Sequence, residues 1–430
     1  MAAPGGGRRG TGRLSVGDAA SSGIAVMVAY PCSPMLIRLN ERAREPDGSR
    51  RPRVGILGAG QLARMDQEAA IALDVDLTVL AVADGDAAVR AGAQAIIGDH
   101  RDLDVLQAFA SEVDVISFEL EGIAPEHLQA LELAGHRLVP SAPAKLFAQD
   151  KLHQRRALAA AGFPVPPFAH ARTAVDIAQF AAAHEWPVVM KAPRGGYDGR
   201  GVQIVDNARQ AAAVLAQLPD DQLGAPGGAL LEPALAITQE LAVQVARTPA
   251  GEMAVYPVVQ TVQRDAMLRE LVCPAPIPAE TTLEAVELAR EIVAHIGAAG
   301  LTAVELFLTP DGLMVNELAL RPHNSGHHTI EACVTSQFEQ HLRAVLDWPL
   351  GSTALRAPAA VTVNVVGPPD GSDPRGRLPA ALAVPGAHVH LYGKDARPGR
   401  KLGHVTALAD DVDAARTIAW RAAGILEGSA

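Results

Sequence analysis

The most restrictive feature of this sequence is a pair of acids on two short apolar stretches. Ala303-Val304-Glu305-Leu306-Phe307 and Val315-Asn316-Glu317-Leu318-Ala319 each carry a carboxylate, and Thr309-Pro310-Asp311-Gly312 lies between them. Pro presets φ, Asp bonds the turn and Gly takes a left-handed backbone, so the segment predicts a hairpin closed by a three-residue loop. That register pairs Thr309 with Leu313 and sets Glu305 opposite Glu317 on one face. Two carboxylates so placed repel unless a cation lies between them. Hard divalent ions take carboxylate oxygens, and Mg²⁺ usually takes one or two together with nucleotide phosphates. The bland alternative is two solvated acids on an exposed strand. The apolar surroundings and the polar run Arg321-Pro322-His323-Asn324-Ser325-Gly326-His327 disfavour it.

A second constellation lies upstream. Trp186-Pro187-Val188-Val189-Met190-Lys191 reads as a buried strand presenting a lysine, and Arg194-Gly195-Gly196-Tyr197-Asp198-Gly199-Arg200-Gly201 follows directly. Such a loop can close over phosphates with its N–H groups while the lysine supplies a point charge. The Gly-Lys-Ser/Thr ending of a Walker loop is absent. A long flexible turn is the competing reading, weakened by the basic residues that flank the glycines. The helix expected to begin near Lys151 stops at Gly162 and Pro164. Leu230-Leu231-Glu232 ends a strand in an acid, and Gln239 to Val245 alternates as a strand. Residues 280–297 form an amphipathic helix with Val286, Ala289, Val293 and Ile296 inward.

Nearer the N-terminus, Arg53-Val54-Gly55-Ile56-Leu57-Gly58-Ala59-Gly60-Gln61-Leu62 predicts a strand, a glycine turn and a helix. Further strands are expected at 77–83, 113–118 and 138–140 with helices between them, the pattern of a parallel sheet. Gly58-x-Gly60-x-x-Ala63 with Asp84 is similar to a dinucleotide fingerprint. A glycine turn feeding a helix serves any phosphate, however, and small residues there also permit tight packing. Phe118-Glu119-Leu120-Glu121 ends a strand with two acids, where α/β folds place ligands; an ordinary polar strand end is an equal reading.

A chain of 430 residues holds two to four domains by the usual size of a domain. Its net charge of −11 and aromatic content of 3% argue against a general nucleic-acid binder. Cys32, Cys273 and Cys333 are scattered, which suits a reducing cytoplasm, and no apolar run is long enough to span a bilayer. Residues 1–50 are Gly-, Ser-, Ala- and Arg-rich and read as a disordered extension with no part in the chemistry.

From about Arg53 to Ala430 the chain resembles the ATP-grasp superfamily and, within it, the N5-carboxyaminoimidazole ribonucleotide synthases, the ATPase part of phosphoribosylaminoimidazole carboxylase. The resemblance rests on residues 55–65, 118–121, 194–201, 316–319 with 321–327, 335–340, and Tyr392-Gly393-Lys394 with residues 397–404. It implies an α/β and α+β multidomain protein: a Rossmann-like pre-ATP-grasp parallel-sheet domain at 51–149, an ATP-grasp domain at 150–350 with a lid at about 165–235, and a small β-rich domain at 351–430. The implied reaction converts ATP, bicarbonate and 5-aminoimidazole ribonucleotide to the N5-carboxylated product through carboxyphosphate. ATP and Mg²⁺ are the implied cofactors, and the implied state is a cytoplasmic homodimer without nucleic-acid or membrane partners.

Carried over by motif, Lys151, Lys191, Gly196, Tyr197, Asp198, Gly199, Arg200 and Gly201 hold the phosphates. Glu232, Glu240 and Gln263 lie at the adenosine, Glu305 and Glu317 bind the metal, and Asn316 lines the same site. Gln61, Leu62, Glu121, Arg321, His323, Asn324, Ser325, Lys394, Arg400 and Lys401 line the ribonucleotide and bicarbonate pocket. Tyr197, Asp198, Arg321 and Lys394 stand at the chemistry. Within the superfamily, a formate-dependent glycinamide ribonucleotide transformylase would share the ATP residues but not the 392–404 tail. A regulatory module without turnover would have lost Lys191, Glu305 or Glu317, and all three are present.

Overall fold

The computed structural model of the protein describes residues 1, 24–30, 33–39, 50–195, 201–218, 227–264 and 266–429. The strands Gln94–Ile97, Asp76–Ala81, Arg53–Leu57 and Val115–Phe118 lie side by side in that order, all parallel. Val54, Ile56, Leu77, Val79, Val115, Ile116 and Phe118 are buried, the continuous apolar strands that a sheet covered on both faces selects. Gln94–Ile97 shows too short a pattern to be read from the sequence. Residues 138–140 contribute only a bridge from Leu138 to Ile116.

The expectation of an irregular N-terminal extension differs from the structure over 24–30 and 33–39. Ile24–Tyr30 and Ser33–Leu39 form an antiparallel hairpin, and Leu36 and Ile37 pair with Ile97 and Ile96 at the sheet edge. The β-branched run Ile24, Val26, Val28 favours a strand locally, and an open sheet edge offers it a ladder.

The glycine turn of this sheet is closed from within. Glu119, just beyond the strand Val115–Phe118, accepts hydrogen bonds from the N–H of Gly60 and, at 3.0 Å, from the N–H of Leu62. It thus occupies the N-terminus of the helix Gln61–Ala72, where unpaired N–H groups and the helix dipole favour negative charge. Gly58 adopts φ +122°, and a side chain at Gly60 would collide with the Glu119 carboxylate. The fingerprint glycines therefore make room for an internal carboxylate, and the phosphate or substrate contact expected of Leu62 meets an N–H already engaged.

Ala169–Ala171, Ala229–Pro233, Val188–Lys191 and Val202–Val205 form a second, antiparallel sheet in that order. Ile177, Phe180 and Ala181 of the helix Ala174–His184 pack on it. Thr173 and Asp176 cap that helix reciprocally, each satisfying a backbone N–H of the other.

The third sheet is the largest. Its order is Gly312–Ala319, Gly300–Thr309, Gln239–Arg247, Val259–Arg264, Met267–Cys273, Ala359–Val366, Lys401–Ala409, Ala387–Leu391, with Met253–Val255 paired to Gln239–Arg247. The helix Ala279–Ile296 packs on it through Ala285, Leu288, Ala289, Ile292, Val293 and Ile296; Val286 sits at the margin of that stripe. The C-terminal β-rich region therefore continues this sheet through the pairing of Met267–Cys273 with Ala359–Val366. Buried His341 ties the first sheet to the third: Nδ1 accepts from Leu301 N at 3.1 Å, and Nε2 lies 2.9 Å from Ser117 Oγ.

Gly60→Ala is expected to destabilise the protein by about 1–3 kcal/mol, the usual cost of overpacking. Thermal unfolding checks this. The double variant with Glu119→Ala, which removes the colliding carboxylate, is expected to lose less than the sum of the two single losses.

Candidate active site

Between Thr309 and Leu306 the hairpin pairs in a tighter register than expected: Thr309 faces Gly312, Leu308 faces Leu313 and Leu306 faces Val315. The loop is the two residues Pro310 and Asp311, because Thr309 Oγ1 accepts from Asp311 N at 3.2 Å and donates to Gly312 O at 3.0 Å. Continued without interruption, this ladder would put Asn316 opposite Glu305. A bulge intervenes, and Glu305 faces Glu317 after all. Asn316 is the extra residue. A bulge re-aims side chains and releases ladder groups, and both effects are visible. The freed Asn316 carbonyl accepts from Arg155 Nη2 at 2.6 Å, and its side-chain amide donates to Glu305 Oε2 at 3.3 Å.

Three basic residues converge here. Lys151 starts the helix Lys151–Ala160, one turn before Arg155, and pairs with Glu317 Oε1. Arg155 is 1% exposed, and its Nε donates to Glu232 Oε1 at 2.5 Å. Lys191, at the end of its strand, lies 2.7 Å from Glu232 Oε2 and 3.3 Å from Asn316 Oδ1. Burial pushes Lys191 down against the pull of Glu232. Burial works against the charge of Glu232 as well, but Arg155 and Lys191 hold its carboxyl below the ordinary range. Glu232, expected at the adenosine, thus has both oxygens committed to two cations. It holds the Lys191 ammonium at the end of its strand. Arg155 escaped the sequence reading, although its spacing from Lys151 on one helix face was an available signal.

The metal reading rests on the same bulge. Burial, together with the charges of Glu317 and Glu240, pushes Glu305 up to about 7. Like-charge crowding of this kind is what a bound cation relieves. Two facing carboxylates are a pair of oxygen donors, so Glu305 and Glu317 fit a hard divalent ion, while the Asn316 amide oxygen is turned to Lys191. Glu240 adjoins the set and is hydrogen-bonded to Gln263; burial raises its carboxyl.

The base of the glycine loop is anchored. Asp150 caps the helix Lys151–Ala160 by accepting from His153 N at 2.9 Å, and Arg194 Nε donates to Asp150 Oδ2 at 3.0 Å. Lys151 N–H donates to Pro193 O, and Ala192 N–H to Gly201 O, both at 2.8 Å. Gly195 and Gly201 both have φ +80°, a backbone that suits glycine at each end of the loop. Gly196, Tyr197, Asp198, Gly199 and Arg200 lie outside the described residues.

A second cluster sits beyond the hairpin. Arg321 Nε lies 2.9 Å from Glu121 Oε1. Burial raises Glu119 while Gly60 and Leu62, then Arg321 and Lys394, pull it back, so the cations of the two loops act on one carboxylate. Lys394 Nζ stands 5.7 Å from the centre of the Tyr392 ring. Lys401 acts electrostatically on Glu305. Arg400 Nη1 is turned to Asp395 O at 3.1 Å and holds its own loop. Gln61 is half-buried at the head of its helix, and Leu62 packs on Met65, Phe338 and Tyr392.

The polar loop after the hairpin is held from below. Ser325 Oγ accepts from Gln244 Nε2 at 2.7 Å and lies 2.8 Å from His323 Nδ1, whose ring reaches Glu305 at 3.7 Å. Asn324 Oδ1 is buried without a hydrogen-bond partner among the described residues. Behind the loop, His404 stacks between His327 at 4.9 Å and His390 at 4.6 Å. Tyr392 Oη meets His404 Nδ1 at 2.9 Å, and His390 Nε2 meets Glu331 Oε1 at 2.6 Å. Burial pushes His327 and His404 well below the usual imidazole value, so both stack as neutral rings.

Family models match three consecutive parts of the chain: a ribonucleotide synthetase preATP-grasp domain at 52–149, an ATP-grasp domain at 156–338 and a phosphoribosylaminoimidazole carboxylase C-terminal domain at 360–417. The N5-carboxyaminoimidazole ribonucleotide synthase of Mycobacterium bovis is 45% identical over 366 residues, 84% of each chain. That of Corynebacterium ammoniagenes is 40% identical over 412 residues, 91% of this chain and 98% of the other. A crystal structure of the Aspergillus clavatus N5-carboxyaminoimidazole synthase with ADP and 5-aminoimidazole ribonucleotide superposes with a TM-score of 0.78 at 31% identity, covering 88% of this chain and 99% of that one.

Burial alone would lower His390, but the hydrogen bond and charge of Glu331 raise it above the ordinary imidazole value. Such a group adds stability that is complete below its unfolded pKa of about 6.5 and is lost as pH rises through the higher folded value. Glu331→Gln is expected to shift the His390 ring titration downward and to abolish that alkaline loss. Ring-proton NMR, with unfolding measured across the same pH range, checks both.

Proposed function

The chain belongs to the N5-carboxyaminoimidazole ribonucleotide synthase family of ATP-grasp enzymes, and from that premise we propose how its residues divide the reaction. The enzyme uses ATP to carboxylate 5-aminoimidazole ribonucleotide to N5-carboxyaminoimidazole ribonucleotide in purine biosynthesis. The observation that carries the assignment of roles is the convergence of Lys151, Lys191, Glu305 and Glu317 on the Asn316 bulge, with Glu121, Arg321 and Lys394 beyond it.

In this reading Lys151 and Lys191 hold the ATP phosphates under the 194–201 loop, and Glu232 keeps Lys191 aimed at them. Glu240 and Gln263 face the adenosine. Glu305 and Glu317 would hold Mg²⁺, which when bound neutralises charge on the phosphate oxygens. A bicarbonate oxygen attacks the γ-phosphorus and ADP leaves, giving carboxyphosphate. The exocyclic amine of the ribonucleotide then attacks the carboxyl carbon, or CO₂ released from it, and phosphate departs. Asp198 takes the proton that the amine loses, and Tyr197 closes over the same atoms. Lys394 and Arg321 hold the carboxylate charge in a site screened from water, where fixed charges act most strongly. Glu121, Asn324, Ser325, Arg400 and Lys401 seat the ribonucleotide. The reading includes a cytoplasmic homodimer. No described helix is long and apolar enough to cross a membrane, and Cys273 and Cys333 are buried free thiols.

The deciding assay is ADP release with bicarbonate, with and without aminoimidazole ribonucleotide. Release that depends on the ribonucleotide is expected, and release indifferent to both co-substrates would sink the assignment. Glu317→Gln is expected to lower ADP formation at least ~100-fold, since the cation needs anionic oxygen there, with an unchanged circular-dichroism spectrum. Lys394→Ala should depress carboxylated product far more than it weakens ATP binding. A Lys394→Ala enzyme forming product at the wild-type rate would return that loop to the surface.

A further inference from the structure

Gln244 lies on the strand Gln239–Arg247 beneath the polar loop, and like Ser325 it is 0% exposed. Its Nε2 donates to Ser325 Oγ at 2.7 Å, and that hydroxyl lies 2.8 Å from His323 Nδ1. A hydroxyl has one hydrogen and two lone pairs. Having accepted from Gln244, Ser325 has its hydrogen to give to His323. Turning the Gln244 amide end for end would let the chain run the other way. A second bond forbids this. The Ser325 backbone N–H, which can only donate, also points at His323 Nδ1, at 3.4 Å. Nδ1 is therefore the acceptor of the ring, the hydroxyl donates to it, and Gln244 must present Nε2. That choice leaves Gln244 Oε1 buried without a hydrogen-bond partner among the described residues.

The main chain of His323 is held independently. Its N–H donates to Gln337 Oε1 at 2.9 Å, and its carbonyl accepts from Gln337 Nε2 at 2.8 Å. One buried amide thus fixes both backbone groups. The other ring nitrogen faces the carboxylate pair: Nε2 lies 3.7 Å from Glu305 Oε1. The bond made by one imidazole nitrogen sets which nitrogen carries the hydrogen. Here Nδ1 accepts, so Nε2 carries it. Glu305 is then approached by an N–H group at each oxygen, since Asn316 Nδ2 donates to Oε2 at 3.3 Å.

We propose that Gln244 is a positioning residue: it fixes the direction of the chain Gln244–Ser325–His323, so that His323 meets Glu305 as an N–H donor at Nε2. Run the other way, the chain would set an imidazole lone pair against a carboxylate, two acceptors facing each other. In the fixed direction His323 and Asn316 attend one oxygen each and keep the Glu305 carboxylate in its place opposite Glu317. Partners of this kind orient a carboxylate for a metal ion. The same direction excludes His323 Nε2 as the acceptor of the proton that the amine loses. Gln244 touches no substrate and acts through Ser325 and His323.

The proposal rests on the assignment of Glu305 to the metal, and the experiment separates the two. Nitrogen-15 NMR of the full chain without ligands reads which ring nitrogen carries the proton, with the His323 signals identified by their loss in His323→Asn. Wild type is expected to carry it on Nε2. Gln244→Met and Gln244→Leu keep an apolar side chain of similar size and remove the donor. In either variant the two ring shifts should draw together as both tautomers populate. The Mg²⁺ concentration giving half-maximal ADP release should rise about tenfold. A wild-type ring protonated on Nδ1 overturns the proposal whatever the variants do. A folded variant that keeps the wild-type tautomer overturns it, as does one that changes tautomer with the Mg²⁺ requirement unmoved. Loss of fold in both variants makes Gln244 structural and overturns it too. A Glu305→Gln enzyme with the wild-type Mg²⁺ requirement sinks the metal assignment instead, while the tautomer still decides the direction of the chain.

Discussion

The ladder between Gly300–Thr309 and Gly312–Ala319 carries one residue more on its second strand than on its first, and the arrangement of the candidate site hangs on that excess. Without Asn316 as a bulge, the alternation of a regular strand would turn either Glu317 or Asn316 away from Glu305. With it, both reach the same place, and the freed Asn316 carbonyl becomes the acceptor that seats Arg155. Arg155 in turn shares Glu232 with Lys191. A buried charge network of this kind contributes little net stability, because desolvation offsets most of the attraction. Its value here is geometric: each buried charge has a partner, and removing any one strands another.

Part of this was legible in the sequence. Glu305 and Glu317 were expected to face each other, and they do, but through a shorter turn plus a bulge and not through a three-residue loop. The two routes end in the same pairing, so residue spacing alone could not separate them. Lys191 at a strand end and the parallel α/β sheet of the N-terminal region were readable from apolar runs and glycine breaks. Arg155 and Glu119 were not. Their roles depend on partners far away in the chain, and a buried charge looks in sequence like any solvated one. Glu232 shows the same limit: an acid at a strand end reads as open to ligand, and the two distant cations on it are not visible in sequence.

Glu119 illustrates how a motif can be met by different chemistry. The glycine turn and the helix N-terminus that follows form an anion site by the ordinary rules of backbone polarity. In this protein the anion belongs to the chain. A carboxylate held there joins the strand end to the helix head, and the charges of Arg321 and Lys394 act on it. The first sheet thus helps to shape the wall of the candidate site.

The unbroken third sheet has a consequence for how such a protein can be taken apart. The C-terminal strands that bring Lys394 and Lys401 hydrogen-bond directly to Met267–Cys273 through Ala359–Val366. No linker separates two self-contained modules at that seam. A C-terminal segment expressed alone would present a naked strand edge, and the remainder would expose the complementary one. Exchange of this segment between relatives must therefore conserve the register of a shared ladder, a stricter condition than joining two folded units, and recombination at this point is expected to succeed only between chains whose seam strands match.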